Sequence, residues 1–284
     1  MAVLVLGQAA RAGTPSTGVL AGLVLGLDVL TRATIAPFAA LAPVWLLWQR
    51  RTRAAVACAL FLTATVLPWA WRNSIVMRVP TLSTETGVEL WAGNNGFLFT
   101  HYPKESSDLS KADAFDALTP RDQQELISLS DSEALTDRWF LHKGLEYIGS
   151  HPRQTIIDGF RKNAAAFNWL ASPRRGVAID LAVALSYGPM MALGIWGMWK
   201  RRAHWRKDSV IYLLFAAFML VTAVFWAHTS HRAYLDVYWI VFASGALAEG
   251  VLVPRDSPAS AKRRGSSPDS SSASPQEFRS SVRG

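Results

Sequence analysis

The chain has 284 residues, 50% of them hydrophobic, with 12 tryptophans, one cysteine and a formal net charge of +8. A lone Cys58 rules out an intrachain disulfide framework, and basic residues gathered at the ends of apolar runs orient membrane spans rather than bind nucleic acid. The apolar residues are bunched into blocks, so the composition points to a bilayer rather than to one soluble core.

Met1 to Gly7 is apolar but too short to span, and no basic segment precedes it as in a secretory signal. It reads as the end of a helix that starts upstream. Val19 to Leu30 and Ile35 to Trp48 follow, each shorter than the roughly 20 residues of a full span. Between them lies the polar stretch Asp28-Val29-Leu30-Thr31-Arg32-Ala33-Thr34. Interrupted apolar segments of this kind line polar cavities in membrane proteins, because irregular backbone in a bilayer must be buried or face water. Gly22-Leu-Val-Leu-Gly26 has the small-xxx-small spacing of a helix-packing face.

After the basic turn Gln49-Arg50-Arg51-Thr52-Arg53 comes the run Ala54 to Ala70, which at ~1.5 Å per residue reaches roughly 26 Å, enough for one crossing. It closes on Pro68, Trp69 and Trp71, with Arg72-Asn73 just beyond. Tryptophan rings favour the headgroup level, where one edge is apolar and the other can hydrogen-bond.

Ordinary soluble sequence then fills 71–176. Val79 to Phe99 reads as irregular or strand-like, and helices follow. Thr119-Pro120-Arg121-Asp122 and Ser130-Asp131-Ser132-Glu133 are helix starts, the second in the form of a capping box from Ser130 to Glu133. Leu141, Leu145 and Ile148 share one face of the second helix. A further helix starts near Pro152, with Ile156, Phe160, Ala164 and Phe167 at helical spacing and Arg161-Lys162 beside them. That stripe packs against its own domain or lies on the membrane surface.

Apolar runs resume at Val177 to Trp199, Val210 to Ala227 and Leu235 to Val253, with Lys200-Arg201-Arg202 and Arg206-Lys207 in the first turn between them. Beyond Val253 the chain is rich in Ser, Pro, Lys and Arg, a composition that cannot bury enough surface to order itself. Within that tail Lys262-Arg263-Arg264 is a solvated charge run or a contact with anionic lipid. With short basic turns and tail in the cytoplasm, Thr31-Arg32, the long loop and His228 to Arg232 share the opposite face. The expected fold is mainly α: a polytopic transmembrane bundle with an extracytoplasmic α-rich loop domain. Its parts are a membrane block at 1–70, the loop domain at 71–176, three transmembrane helices at 177–253 and a disordered cytoplasmic tail at 254–284.

The chain has no Walker loop, His-Glu-x-x-His pair, zinc-type cysteine pair or Gly-x-Ser-x-Gly elbow. The informative residues are cations at external span ends: Arg32, His228, His231 and Arg232. At that depth they can meet the phosphate of a lipid carrier, whereas any one of them alone equally suits snorkelling.

Five stretches together carry a resemblance: GLVLGLDVLTRAT at 22–34, LPWAWRN at 67–73, LSTETGVELWAGNNG at 82–96, YIGSHP at 147–152 and HRAYLDVYW at 231–239. In this order around one long loop they resemble the C-terminal part of polytopic C-fold glycosyltransferases, the superfamily of dolichyl-phosphate-mannose protein mannosyltransferases and aminoarabinose transferases. The resemblance implies inverting transfer of a sugar from a polyprenyl-phosphate carrier to an acceptor at the extracytoplasmic face of a bacterial-type inner membrane. The donor would be a polyprenyl-phosphate-linked sugar, with a divalent metal left open. Arg32, Arg232, His228 and His231 would hold the carrier phosphate, and Glu85, Glu89, Trp91, Asn94 and Asn95 form the loop motif. The external carboxylate that serves such enzymes as base has no counterpart here, so the catalytic residue is unassigned and an upstream polypeptide is the expected partner. A lipid-linked sugar transporter or flippase and a non-catalytic membrane scaffold are the competing classes. The first needs paired internal repeats, and the second needs no cations at span ends.

The topology has a direct test. Reporter fusions are expected to place Asp122 outside the cytoplasm and His204 inside it; a cytoplasmic Asp122 would overturn the arrangement.

Overall fold

A computed structural model describes residues 1–226 and 229–252, including side chains except at 229–230 and 249–252. The tail expected over 254–284 lies outside the described residues, as does His228. Every regular element among the described residues is helical. The first group comprises α1 (Ala2–Ala12), α2 (Pro15–Thr31), α3 (Ala36–Trp48) and α4 (Thr52–Val76). Then come α5 (Thr86–Ala92), α6 (Ser107–Asp116), α7 (Pro120–Leu129), α8 (Glu133–Ser150) and α9 (Pro152–Ala166), followed by α10 (Val177–Lys200), α11 (Trp205–Val224) and α12 (Ala233–Leu252).

The short apolar pair is a pair of helices whose boundary is set locally. Thr14 caps α2 and Pro15 opens it, where the missing N–H costs nothing. Arg32 is extended, and a single turn at Ala33–Ile35 leads into α3. The Gly22-x-x-x-Gly26 spacing brings α2 onto α4: a Cβ on Gly22 would stand 2.5 Å from the Cys58 carbonyl oxygen. Only glycine permits that approach. Arg51 returns from the turn before α4 and donates from Nε to the Ala10 carbonyl at 2.7 Å, placing a cation on the carbonyl end of α1. The indole of Trp45 on α3 donates to Ser209 on α11 at 2.8 Å. Leu6, Leu25, Phe38, Leu46 and Leu235 fill the space between these helices and are all but inaccessible.

By length and composition, Thr52–Val76 and the helical stretch Val177–Val224 could each cross a membrane, and the remaining apolar helices are shorter. Apolar side chains point outward along both, as at Leu60 and Leu67 on α4 and Leu181 and Leu185 on α10.

The loop domain differs from its sequence reading in two places. Val79 to Phe99 contains no strand: the 77–85 stretch is irregular and Thr86–Ala92 is helical. The irregular part is pinned to the end of α4 instead of to a sheet partner, with Asn73 donating to the Thr81 carbonyl at 2.8 Å and Trp69 to Leu82 at 3.2 Å. The cap of α8 is Ser132, whose hydroxyl accepts from the Leu135 amide, while Ser130 belongs to the end of α7. Two serines two residues apart present the same chemistry, and the length of the α7–α8 turn decides between them.

Helix α5 is short, and it is held from outside. The carboxylate of buried Asp137 on α8 accepts from the amides of Gly87 and Val88 at 2.6 and 3.1 Å, satisfying donors that the first turn of a helix leaves unpaired. Trp91 then packs edge-on to Phe115 and tilted against Phe140, forming a small aromatic core with Ala114. The approach of α5 to α8 needs a bare Cα at Gly87, where a Cβ would lie 1.8 Å from the Asp137 carbonyl oxygen.

Gly87→Ala is therefore expected to destabilise the protein by about 1–3 kcal/mol or more, as overpacking against backbone does. Gly149→Ala in α8, where an added Cβ meets nothing within 4 Å, is expected to be neutral or to stabilise by up to about 1 kcal/mol. Thermal unfolding of both variants in detergent checks the pair; equal melting temperatures would refute the packing account.

Candidate functional site

The expected site residues fall into two groups. Arg32 lies at the end of α2, partly exposed, with its Nε donating to Thr34 at 3.2 Å and its guanidinium 5.5 Å from the centre of the Tyr234 ring. Tyr234 belongs to the first turn of α12, two residues after Arg232. The structure thus brings Arg32 to the same helix start as His231 and Arg232, although about 200 residues separate them in the chain. Among the described residues Arg32 forms no ion pair with a carboxylate.

Arg232, expected at the carrier phosphate, is only 6% accessible. One terminal nitrogen donates to the Ala166 and Asn168 carbonyls at 2.5 and 2.8 Å, and the guanidinium covers the Tyr187 ring at 3.6 Å. Asp236 stands 3.8 Å from its Nε. Arg232 therefore caps the carbonyl end of α9 and joins it to α10 and α12, a role that favours a cation because the carbonyls there are unpaired. His231 is partly buried beside it.

The loop motif forms the second group. Glu85 is exposed just before α5, and Glu89 pairs with Lys111 at 3.0 Å. Trp91 is buried in the aromatic core. The Asn95 side chain donates to the Trp91 and Ala92 carbonyls and accepts from the Phe97 amide, which closes the turn after α5. Asn94 reaches further: its amide donates to Leu90 at 2.8 Å and to Val224, at the end of α11, at 2.7 Å.

A residue that sequence reasoning treated only as the flank of a stripe occupies the centre of this contact. Lys162 on α9 is wholly inaccessible, and its ammonium donates to the Gly93 carbonyl at 3.0 Å, the Asn94 side-chain oxygen at 3.4 Å and the Val224 carbonyl at 3.4 Å. Burial pushes its pKa down from 10.5 to about 8, with the negative charge of Asp158 opposing the shift. Asp158, one turn earlier, is itself buried and accepts from Gln154 at 3.0 Å and Arg161 at 3.1 Å. The signal was present: Gln154, Asp158 and Lys162 recur at every fourth residue, which puts them on one face of α9. What the spacing lacked was any indication that Asp158 and Lys162 point inward.

Among the described residues no group of three or more His, Cys, Asp or Glu is placed to hold a metal ion. A cleft of about 360 Å³ opens between 79–86 and α8, lined by Thr81, Thr84, Asp137 and Arg138 among others, and none of the expected carrier-binding cations borders it. Neither a protein-family model, nor a curated protein, nor a solved structure matches this chain.

The depressed pKa of Lys162 has a consequence for stability. The unfolded chain holds this proton up to about 10.5 and the folded chain only to about 8, so stability rises as pH increases through that window and is level below it. At about 1.4 kcal/mol per pH unit the gain is on the order of 3 kcal/mol. A Lys162→Met variant should lack this rise, so that the stability of the native chain relative to the variant climbs between pH 8 and 10.5. Parallel stability curves would disprove it.

Proposed function

We propose that this chain forms the carrier-binding membrane portion of a glycosyltransferase that moves a sugar from a polyprenyl-phosphate carrier to an acceptor at the extracytoplasmic face. The observation that carries the reading is the meeting of Arg32 with the start of α12, where Tyr234 orients a partly exposed guanidinium that has no carboxylate partner among the described residues. A guanidinium presents a fork of donors suited to phosphate oxygens, and at the mouth of a bilayer its positive charge is a natural mate for a lipid phosphate. Arg232 acts indirectly in this scheme, fixing α9, α10 and α12 so that Tyr234 and Arg32 face one another. The same scheme takes the chain as multi-pass, with the helices too short for a solitary span packed within the bundle.

One observation favours the non-catalytic scaffold instead: Glu89 is tied to Lys111, Asn95 is engaged by backbone groups, and Asn94 is engaged by the Leu90 and Val224 carbonyls and by Lys162. The loop motif then serves the fold, and a partner would read the outer surface of the loop domain.

Binding of polyprenyl phosphate in nanodiscs separates the two. A charge-assisted hydrogen bond contributes roughly 1.5–3 kcal/mol, so Arg32→Ala should weaken carrier binding by about ten-fold or more and Arg32→Lys should recover only part of it. Arg232→Ala should lower the melting temperature instead. Undiminished affinity in Arg32→Ala would sink the carrier-site reading and leave the scaffold.

A further inference from the structure

Helix α9 is built inside out. Two of its charged residues face the protein, with Asp158 5% and Lys162 0% accessible, whereas Ile156 and Phe160 are 64% and 75% accessible. Ile157 and Ala164 are exposed as well, and of the expected apolar stripe only Phe167 turns inward, meeting Phe218 edge-on and Trp239 across 6.5 Å. A helix on the surface of a water-soluble domain has the opposite arrangement. Since burying a charge is costly and exposing a phenyl ring to water is unfavourable, an inverted helix signals that the outer side is not water.

What lies on that outer side follows from the element α9 is fastened to. Lys162 donates to the Val224 carbonyl, Asn163 donates to the Met219 carbonyl at 3.1 Å, and Gly159 sits against Ala223. All three contacts are with the last turns of α11, within the Val177–Val224 stretch that is apolar and long enough to cross a membrane. Met219, Leu220 and Val224 of those turns are exposed and continue the apolar surface of α9. Arg153 is exposed in the first turn of α9, and Arg161 is exposed near its middle with its guanidinium 3.9 Å from the centre of the Phe99 ring. Cations flanking an apolar face at the end of a span are placed to meet lipid headgroups.

We infer that α9 is a membrane-seated helix, lying at the boundary of headgroups and acyl chains with Ile156, Ile157 and Phe160 in the lipid and the face that carries Asp158 and Lys162 locked to the protein. The loop domain is thereby fixed to the bilayer surface along α9, and Asn94 and α5 are held at the level of the outer end of α11. This inference rests on reading Val177–Val224 as spanning the membrane, and it does not depend on which carrier or substrate the protein uses.

Nitroxide labels on the full chain in phosphatidylcholine and phosphatidylglycerol nanodiscs test it, in a Cys58→Ala background. Labels would be placed at Ile156→Cys, Phe160→Cys, Leu220→Cys on α11 and Gln124→Cys on α7. Collision with oxygen, which partitions into lipid, is compared with collision with a water-soluble nickel chelate. The expected result is that 156, 160 and 220 favour oxygen several-fold over nickel while 124 shows the reverse. A lipid signature at 220 with an aqueous signature at 160 would overturn the seating of α9, and so would a label at 160 shielded from both agents, which would mean a protein partner or second copy covers the face. An aqueous signature at 220 would instead overturn the membrane-span reading beneath it. Melting temperatures near that of the Cys58→Ala parent confirm that the exposed positions tolerate the label.

Discussion

The buried ammonium of Lys162 is the contact on which the arrangement of this protein turns. It gathers oxygens from three separate places: the carbonyl that ends α5, the side chain of Asn94 and the carbonyl that ends α11. Two of them are backbone carbonyls at helix ends, where the helix itself supplies no donor, and a single flexible cation reaches all three together. No carboxylate touches the ammonium, so the charge is stabilised by dipoles, with Asp158 contributing at longer range. Removing the side chain would take the ammonium from the Gly93 carbonyl and the Asn94 side-chain oxygen, whereas the Val224 carbonyl keeps the Asn94 amide as donor; a buried acceptor left unpaired costs more than the bond itself contributed.

The same logic operates one turn further along α9, at its C-terminal end. Arg232 closes the helix by donating to the carbonyls of Ala166 and Asn168, and its flat face rests on Tyr187. Two cations, one from the helix itself and one from the start of α12, thus rivet α9 to the bundle by polar contacts. Apolar packing usually does this work in soluble domains. Here the apolar side of the helix is left free, and that freedom is what gives α9 a second surface to use.

Anchoring by buried charge also links the two groups of candidate residues. Asn94 in the loop motif and Arg232 at the head of α12 do not touch, yet each is attached to α9, about a turn apart along its final half. Arg32 approaches from the opposite side and meets Tyr234. A displacement of α9 would therefore disturb the turn after α5 and the start of α12 at once. The functional reading and the physical one converge on this helix, although none of its residues stood among the expected site residues.

Much of the architecture was legible in the chain itself. Apolar runs bounded by basic turns marked α2, α3, α4, α10, α11 and α12, because a helix that packs in a bundle or crosses a bilayer must satisfy its own backbone and shows it in composition. Gly22 and Gly26 announced a close helix pair, and Thr119-Pro120 and Pro152 announced helix starts, since caps and fixed dihedrals act within a few residues. Tertiary structure alone decided three matters, all of them questions of direction or distant partnership. Val79 to Phe99 read as irregular or strand-like, and the Asp137 carboxylate that pairs the first amides of α5 comes from α8, fifty residues away in the chain. A spacing of four placed Asp158 and Lys162 on one face of α9, yet periodicity is symmetric and cannot say which face points inward; the acceptors on α5 and α11 settled it. Arg232 read as a cation at an external span end because the basic turns set the topology, which says nothing of its burial, and it is buried because the carbonyls it satisfies arrive from the end of α9, more than sixty residues away in the chain.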